Sequence, residues 1–184
     1  MKSSTLDIAE LYQEKGDFHY DGEGVSQLAH AWQCGQLAKA DGVSPQLQLA
    51  AWLHDIGHLL SKKEGTPTTY GYDDHHENLG GSYLARCFSD EVSRPVLMHV
   101  LAKRYLVSTD PNYHQSLSPD SIRSLALQGG AMTEAECNEF IALPYANDAI
   151  SLRKWDELGK NPDLKMPAKE DVIAKLFHLA EGCL

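Results

Sequence analysis

Positive charge is scarce in this chain. Its 16 Lys and Arg stand against 26 Asp and Glu, a formal net charge of −10 over 184 residues. A general nucleic-acid or membrane-surface binder needs a basic face, so neither class is expected. A small anion remains an acceptable ligand, because a few local cations and bound metal can reverse the field inside a pocket. Long apolar runs are also missing. No stretch approaches the roughly 18–20 residues of a membrane span. Residues 1–14, MKSSTLDIAELYQE, lack the apolar segment of a secretory signal. Cysteine is sparse and dispersed: Cys34, Cys87, Cys137 and Cys183 form no CxxC pair. A zinc ribbon is therefore not expected, and reduced thiols in the cytoplasm are. Internal repeats, dividing linkers and convincing runs of alternating polar and apolar residues are absent as well. With 42% apolar residues the chain can still bury a core. One all-α domain spanning 1–184 is expected, its motifs lying between about 20 and 160.

What is present is helical punctuation. Residues 4–14 and 24–41 carry apolar positions at helical spacing. Ser44-Pro45 starts a helix, with serine as cap and proline at the first position, and that helix carries Leu47, Leu49, Ala50, Trp52, Leu53 and Ile56. Residues 61–74 read as a loop rich in glycine and threonine, followed by helices at about 75–88 and 90–106. Ser118-Pro119 opens another helix and Gly129-Gly130 closes it. Thr133 and Glu136 have the spacing of a capping box for a helix to about Leu143. Pro144 separates it from a helix ending near Gly159, and a last helix occupies 168–181.

The histidines and aspartates carry the chemistry. The string AAWLHDIGHL at 50–59 places His54 beside Asp55. An imidazole can bind one metal ion while the neighbouring carboxylate, with two oxygens, bridges to a second. His30, His76, His99 and a late aspartate lie on other predicted helices and complete a dinuclear set, as helix bundles often do with one inward ligand per helix. Mixed imidazole and carboxylate ligands suit iron, manganese or zinc better than magnesium. Two positions stay open. His75 competes with His76, and Asp148 competes with Asp156 for the last place. Asp156 is preferred, with Arg153 one turn before it and Lys160 one turn after. His19, His114 and His178 are expected to do no chemistry.

The ordered set H…HD…H…H…D resembles the HD-domain superfamily, most of whose members are metal-dependent phosphohydrolases. The segment YDGEGVSQLAHAWQ at 20–33 resembles a narrower branch, the PhnZ-type mixed-valent diiron phosphonate oxygenases related to inositol oxygenase. HHENLG at 75–80, HVLAKRYL at 99–106, LSPDSIRSLALQGG at 117–130 and LRKWDELGK at 152–160 extend the match over most of Tyr20 to Lys160. The resemblance implies that His30, His54, Asp55 and Asp156 hold one iron. Asp55 then bridges to a second iron held by His76 and His99, which keeps open positions for substrate and oxygen. It further implies that Tyr20 occupies the open position until substrate arrives, and that Glu23 meets the substrate's amino group.

Residue chemistry is consistent with that scheme. Glu23 and His30 are seven residues apart, so they share a face if the helix begins early. Lys103 lies one turn after His99, and Arg153 three residues before Asp156. Ser121 and Ser124 form an i,i+3 hydroxyl pair near a helix start. Two cations, two hydroxyls and helix amides make a pocket for a phosphonate. His58, one turn after His54, is placed to line the site or donate a proton. The plainer alternatives are surface roles for Lys103 and Arg153, turn solvation for Ser121 and Ser124, and packing for Tyr20.

The reaction implied is oxidative cleavage of the carbon–phosphorus bond of a 1-hydroxylated aminoalkylphosphonate, with O2 as co-substrate and two Fe ions as cofactor. 2-Amino-1-hydroxyethylphosphonate, giving glycine and phosphate, is the first candidate. Hydrolysis breaks such a bond poorly, because its carbanion-like leaving group has no adjacent electron sink, so redox metal is needed rather than a single Lewis acid. Two rivals remain. A phosphohydrolase would use the same histidines with manganese, cobalt or zinc, and would leave Tyr20 and Glu23 without a role. A non-catalytic ligand-binding HD domain would ordinarily have lost ligands that this chain keeps. The ligand expected is a small organophosphonate, not nucleic acid or membrane, and the sequence does not specify an oligomeric state.

Overall fold

The computed structural model describes residues 5–20, 24–61 and 70–184. Among them are eleven α-helices: α1 Thr5–Lys15, α2 Gln27–Ala40, α3 Pro45–Leu53, α4 Ile56–Leu60, α5 His76–Leu84, α6 Asp90–Thr109, α7 Pro111–Ser116, α8 Pro119–Leu127, α9 Glu134–Ile141, α10 Ala146–Leu158 and α11 Lys169–Glu181. The only sheet among these residues is a two-residue antiparallel ladder, β1 His19–Tyr20 with β2 Val25–Ser26. The fold is all-α and HD-like. None of the described helices is long and apolar enough to cross a membrane, and all four cysteines are free thiols.

The helix starts follow from their caps. Ser44 Oγ accepts from Leu47 N at 3.2 Å with Pro45 as first residue, and Ser118 Oγ does the same for Ser121 N at 3.2 Å with Pro119 following. Thr133 and Glu136 form the full reciprocal capping box. Three expectations need correction. The helix expected over 24–41 begins only at Gln27. Gly24 adopts φ +73°, Val25 pairs with Tyr20, and Ser26 caps α2 through Ala29 N. The early helix start on which a shared face for Glu23 and His30 depended is not seen, and Glu23 itself lies outside the described residues. The helix opened by Ser44 stops at Leu53, and α4 restarts at Ile56. Finally, residues 111–116 form α7, which the sequence reading passed over, capped by Asp110 accepting from Asn112 N and Tyr113 N.

Helix α6 runs through the centre, against α10, α5 and α3, while α2 packs on α3 and α10. The main core gathers Ile8, Tyr12, Leu28, Leu49, Leu53, Ile56, Leu84, Val96, Leu152 and Leu176. Burying each such side chain contributes roughly 1.5–3 kcal/mol. A second cluster joins α6, α9 and α10 through Met98, Ala102, Phe140 and Ala149, and a third joins α6, α7 and α8 through Leu106, Tyr113 and Leu125. All five elements that carry the predicted ligands thus meet around α6 and α3.

Candidate metal centre and anion pocket

The break between α3 and α4 explains the His-Asp pair. Within a regular helix adjacent side chains diverge by about 100°. Here His54 closes α3 in helical conformation and Asp55 turns to φ −98°, ψ 10° before α4 begins. Both side chains consequently enter the same interior space, at 1% and 5% exposure. The pair therefore lies at a helix junction and not late in one continuous helix.

Two ligand groups share Asp55. Around Asp55 Oδ2 stand His54 Nε2 at 3.3 Å and His30 Nε2 at 3.6 Å. The same two nitrogens lie 3.2 Å apart, and Asp156 Oδ1 is 3.4 Å from His30 and 3.7 Å from His54. Around Asp55 Oδ1 stand His76 Nε2 at 3.5 Å and His99 Nε2 at 3.8 Å, themselves 3.1 Å apart.

The four imidazoles are oriented from behind. Nδ1 of His30 donates to Gly159 O (2.9 Å), of His54 to Ala51 O (3.0 Å), of His99 to Val96 O (2.7 Å) and of His76 to Asp74 Oδ1 (2.9 Å). These oxygens only accept, so each Nδ1 holds the proton and each Nε2 presents a lone pair to the interior. Paired lone pairs at such distances repel unless a cation lies between them. Asp55 Oδ2 and Asp156 Oδ1 are also buried without a hydrogen-bond donor, which is costly for carboxylate oxygens. The donor set thus fits divalent or trivalent metal.

Electrostatics keep it in that state. Burial, then the neighbouring His54 imidazole, pushes the His30 imidazole down to about 3. Burial, then His76 and His54, holds His99 well below its ordinary value. Burial alone would raise the Asp55 carboxyl, but the surrounding imidazoles of His54, His58 and His76 hold it well below the usual carboxylate range. At neutral pH His30 and His99 are thus neutral donors and Asp55 an anion.

The sequence alternatives separate cleanly in space. His75 is exposed, adopts φ 52° and faces Asp73 (3.1 Å), so His76 and not His75 reaches the cluster. Asp148 is half-buried about two turns before Asp156 on α10. Burial, then Glu91, raises its carboxyl, and Asp156 alone of the two joins the histidines. His19, His114 and His178 are exposed. His58 stacks on His76 with ring centres 4.0 Å apart, donates from Nδ1 to Asp74 Oδ2 (2.9 Å) and directs Nε2 to within 3.9 Å of Asp55 Oδ1. Glu23 lies outside the described residues. Of Tyr20 only the backbone is described, paired with Val25.

Lys103, Arg153 and Ser121 are each only 4% exposed, which removes the surface alternative for Lys103 and Arg153. Lys103 Nζ donates to Ser124 Oγ at 2.8 Å. Arg153 is tied on all sides: Nε to Tyr113 OH (2.6 Å), Nη1 to Asp156 Oδ2, and Nη2 to Ser121 Oγ (3.1 Å) and Glu157 Oε2 (2.7 Å). It therefore orients a cluster aspartate as well as facing the hydroxyl pair. Burial, then Arg153 and Lys160, pushes the Lys103 ammonium down to about 7. Sequence reasoning missed three groups here. Asp74 orients both His58 and His76, and its signal was the carboxylate two residues before the histidine. Glu157 and Tyr113 hold Arg153. Glu157 stood at the i+4 position from Arg153, whereas Tyr113 has no local signal.

An all-α bundle with a divided His/Asp cluster defines the class as a metal-dependent HD-type enzyme. No family model matches the sequence. Individual proteins do. The chain is 40% identical over 178 residues to the hydroxymethylphosphonate dioxygenase of Gimesia maris, covering 96% of this chain and 86% of that one. It is 37% identical over 160 residues to the [1-hydroxy-2-(trimethylamino)ethyl]phosphonate dioxygenase (glycine-betaine-forming) of Leisingera caerulea, covering 87% and 82%. An uncharacterized protein of Acanthamoeba polyphaga mimivirus matches at 35% over 155 residues, covering 83% and 71%. The chain belongs to the PhnZ-type HD-domain phosphonate oxygenases.

Proposed function

We propose that this chain uses O2 to cleave the carbon–phosphorus bond of a 1-hydroxyphosphonate, releasing phosphate. The observation that carries the reading is the division of ligands over the two oxygens of Asp55, with His30 and His54 near one and His76 and His99 near the other. His30, His54, Asp156 and Asp55 would hold one iron, and Asp55, His76 and His99 the other. Bound there, an iron pair of unequal valence supplies the redox electrons and the Lewis acidity that this bond cleavage requires.

The remaining work falls to the side chains. Lys103, Arg153, Ser121 and Ser124 bind and orient the phosphonate beside the cluster. His58, tied to Asp74 through Nδ1, holds a proton at Nε2 on the side of Asp55 Oδ1. Tyr20 and Glu23, by the family resemblance, guard the open position and read the substrate's amino group. Glu23 makes 2-amino-1-hydroxyethylphosphonate the first substrate to try. The relatives' names make the hydroxymethyl and trimethylammonium analogues the next.

The testing experiment is electron paramagnetic resonance of iron-loaded, partly oxidised protein, with and without each of these three compounds. A coupled diiron signal that one of them perturbs is expected. Absence of a coupled signal, with phosphatase activity in manganese or cobalt, would favour a hydrolase instead. Glu23→Ala is expected to lose the response to the amino-bearing compound while keeping its iron. Unchanged affinity in that variant would remove Glu23 from substrate recognition.

A further inference from the structure

The last turn around α10 carries a cation that the sequence reading left unassigned. Lys160 follows the helix, and its main chain is anchored on both sides. Gly159 O accepts from the metal-cluster residue His30 at 2.9 Å. Asn161 exchanges two hydrogen bonds with Gln33, its carbonyl accepting from Gln33 Nε2 at 2.9 Å and its N–H donating to Gln33 Oε1 at 3.0 Å. A side chain at Gly159 would meet Cys34 Sγ at 2.5 Å, so the segment sits hard against α2. Lys160 is thus held between two residues, Gly159 and Asn161, that are bonded to the helix of His30, unlike a lysine on a mobile surface.

From that post the ammonium reaches the hydroxyl pair. Lys160 Nζ lies 3.1 Å from Ser121 Oγ, the atom that also receives Arg153 Nη2 at 3.1 Å. One turn along α8, Ser124 Oγ receives Lys103 Nζ at 2.8 Å. Three cations therefore meet one i,i+3 pair of hydroxyls. Glu157 is their internal counter-ion. Its carboxylate accepts from Arg153 Nη2 (2.7 Å), Ser118 N (2.8 Å), Ser121 Oγ (3.0 Å) and Lys160 Nζ (3.4 Å). Asp156 also holds Arg153 and Asp120 acts on Lys103, so what the site offers a phosphonate is three cationic donors converging on two hydroxyls rather than an excess of charge.

We propose that Lys160 is a third phosphonate-binding cation, acting with Lys103 and Arg153 on the oxygens of the substrate's phosphonate group. The proposal rests on the functional reading above. It has a signature beyond loss of affinity. Lys103 donates to Ser124 of α8 and feels the charges of Asp120 on α8, Arg153 and Glu157 on α10, and Lys160 just beyond that helix. Of these, Arg153 and Lys160 lower its proton affinity, while Asp120 and Glu157 raise it. Removing Lys160 therefore weakens phosphonate binding at low pH. It also lets Lys103 keep its proton to higher pH, moving the alkaline loss of binding upward. A lysine that merely supported the fold would move neither in this coordinated way.

The experiment titrates metal-loaded protein, kept free of oxygen, with hydroxymethylphosphonate and with 2-amino-1-hydroxyethylphosphonate by calorimetry from about pH 6 to about pH 9. Wild type, Lys160→Gln and Lys160→Arg are compared, with metal content measured on each. The ligand's own ionisation is common to all three and cancels in their ratios. Lys160→Gln is expected to bind about ten- to a hundredfold more weakly near pH 6, with its alkaline limb displaced upward and its metal retained. Lys160→Arg is expected to recover most of the affinity. Wild-type affinity and limb in Lys160→Gln would overturn the proposal and leave the functional reading intact. Equal loss in Lys160→Arg and Lys160→Gln would also overturn it, by showing a packing role. Wild-type protein that binds neither compound, nor the trimethylammonium analogue titrated in the same way, would instead defeat the functional reading, and the proposal with it.

Discussion

At the scale of the residue, Asp55 matters most. It is the side chain whose two oxygens face different pairs of histidines. Asp55→Ala is expected to leave neither half with a full donor set, so metal analysis should fall clearly below two ions per chain, and two retained ions would refute the bridge. Asp74 acts at one remove, since it accepts from Nδ1 of both His58 and His76. Removal of such a supporting carboxylate typically costs about 10–100-fold in metal affinity or activity. Asp74→Ala should show that loss in a metal-competition titration, with α-helical content unchanged. Lys103 sets a pH dependence. Its folded value, about 7, lies below the ordinary lysine range, so the cation fades as pH rises through neutrality. Phosphonate affinity should therefore fall on the alkaline side. The stability sign is the opposite one: between about pH 7 and the ordinary lysine value the unfolded chain binds the extra proton, so stability gains from rising pH there. Thermal unfolding of wild type against Lys103→Met checks this, the variant losing that rise.

At the scale of the element, two close approaches bring the halves of the site together. A Cβ on Gly57 would meet the carbonyl oxygen of His76 at 2.0 Å, and one on Gly80 would meet Gly57 N at 3.1 Å. Helices α4 and α5 touch backbone to backbone here, which carries His76 to Asp55. Gly57→Ala should force them apart, at about 1–3 kcal/mol of stability by the usual cost of overpacking. The metal on the His76–His99 side should be lost first. Denaturant unfolding together with metal analysis reads both effects.

The same elements show what the sequence could carry. Caps with local partners were legible: Ser44-Pro45, Ser118-Pro119 and the Thr133–Glu136 box all start helices where their chemistry demands. The break at His54-Asp55 was not legible, because AAWLHDIGHL has uninterrupted helical spacing and only the burial of both side chains stops the helix there. The late start of α2 was hidden for a related reason: a two-residue ladder and a serine cap override apolar periodicity. Four of the six candidate ligands were readable from order and spacing, whereas His75 against His76 and Asp148 against Asp156 stayed open, since neighbours in sequence or on one helix are separated only by the fold. Tyr113 behind Arg153 and Glu157 across from α8 were not readable, since both depend on helices meeting over long sequence separations.

At the scale of the whole molecule, an acidic chain buries two of its few cations. The formal net charge is −10, yet Lys103 and Arg153 are buried, Arg153 against the cluster residue Asp156. Long-range charge would repel an anionic substrate and the local field would hold it, so affinity should depend weakly on salt once the substrate is bound inside. Family membership and the divided cluster together make the chain an oxygenase of 1-hydroxyphosphonates. The most direct measurement follows O2 consumption and phosphate release together, in iron-loaded protein supplied with 2-amino-1-hydroxyethylphosphonate, hydroxymethylphosphonate or the trimethylammonium analogue. Equimolar O2 uptake and phosphate release with at least one of them, and none under argon, is the predicted result. Phosphate release that continues without O2 would contradict the oxygenase reading.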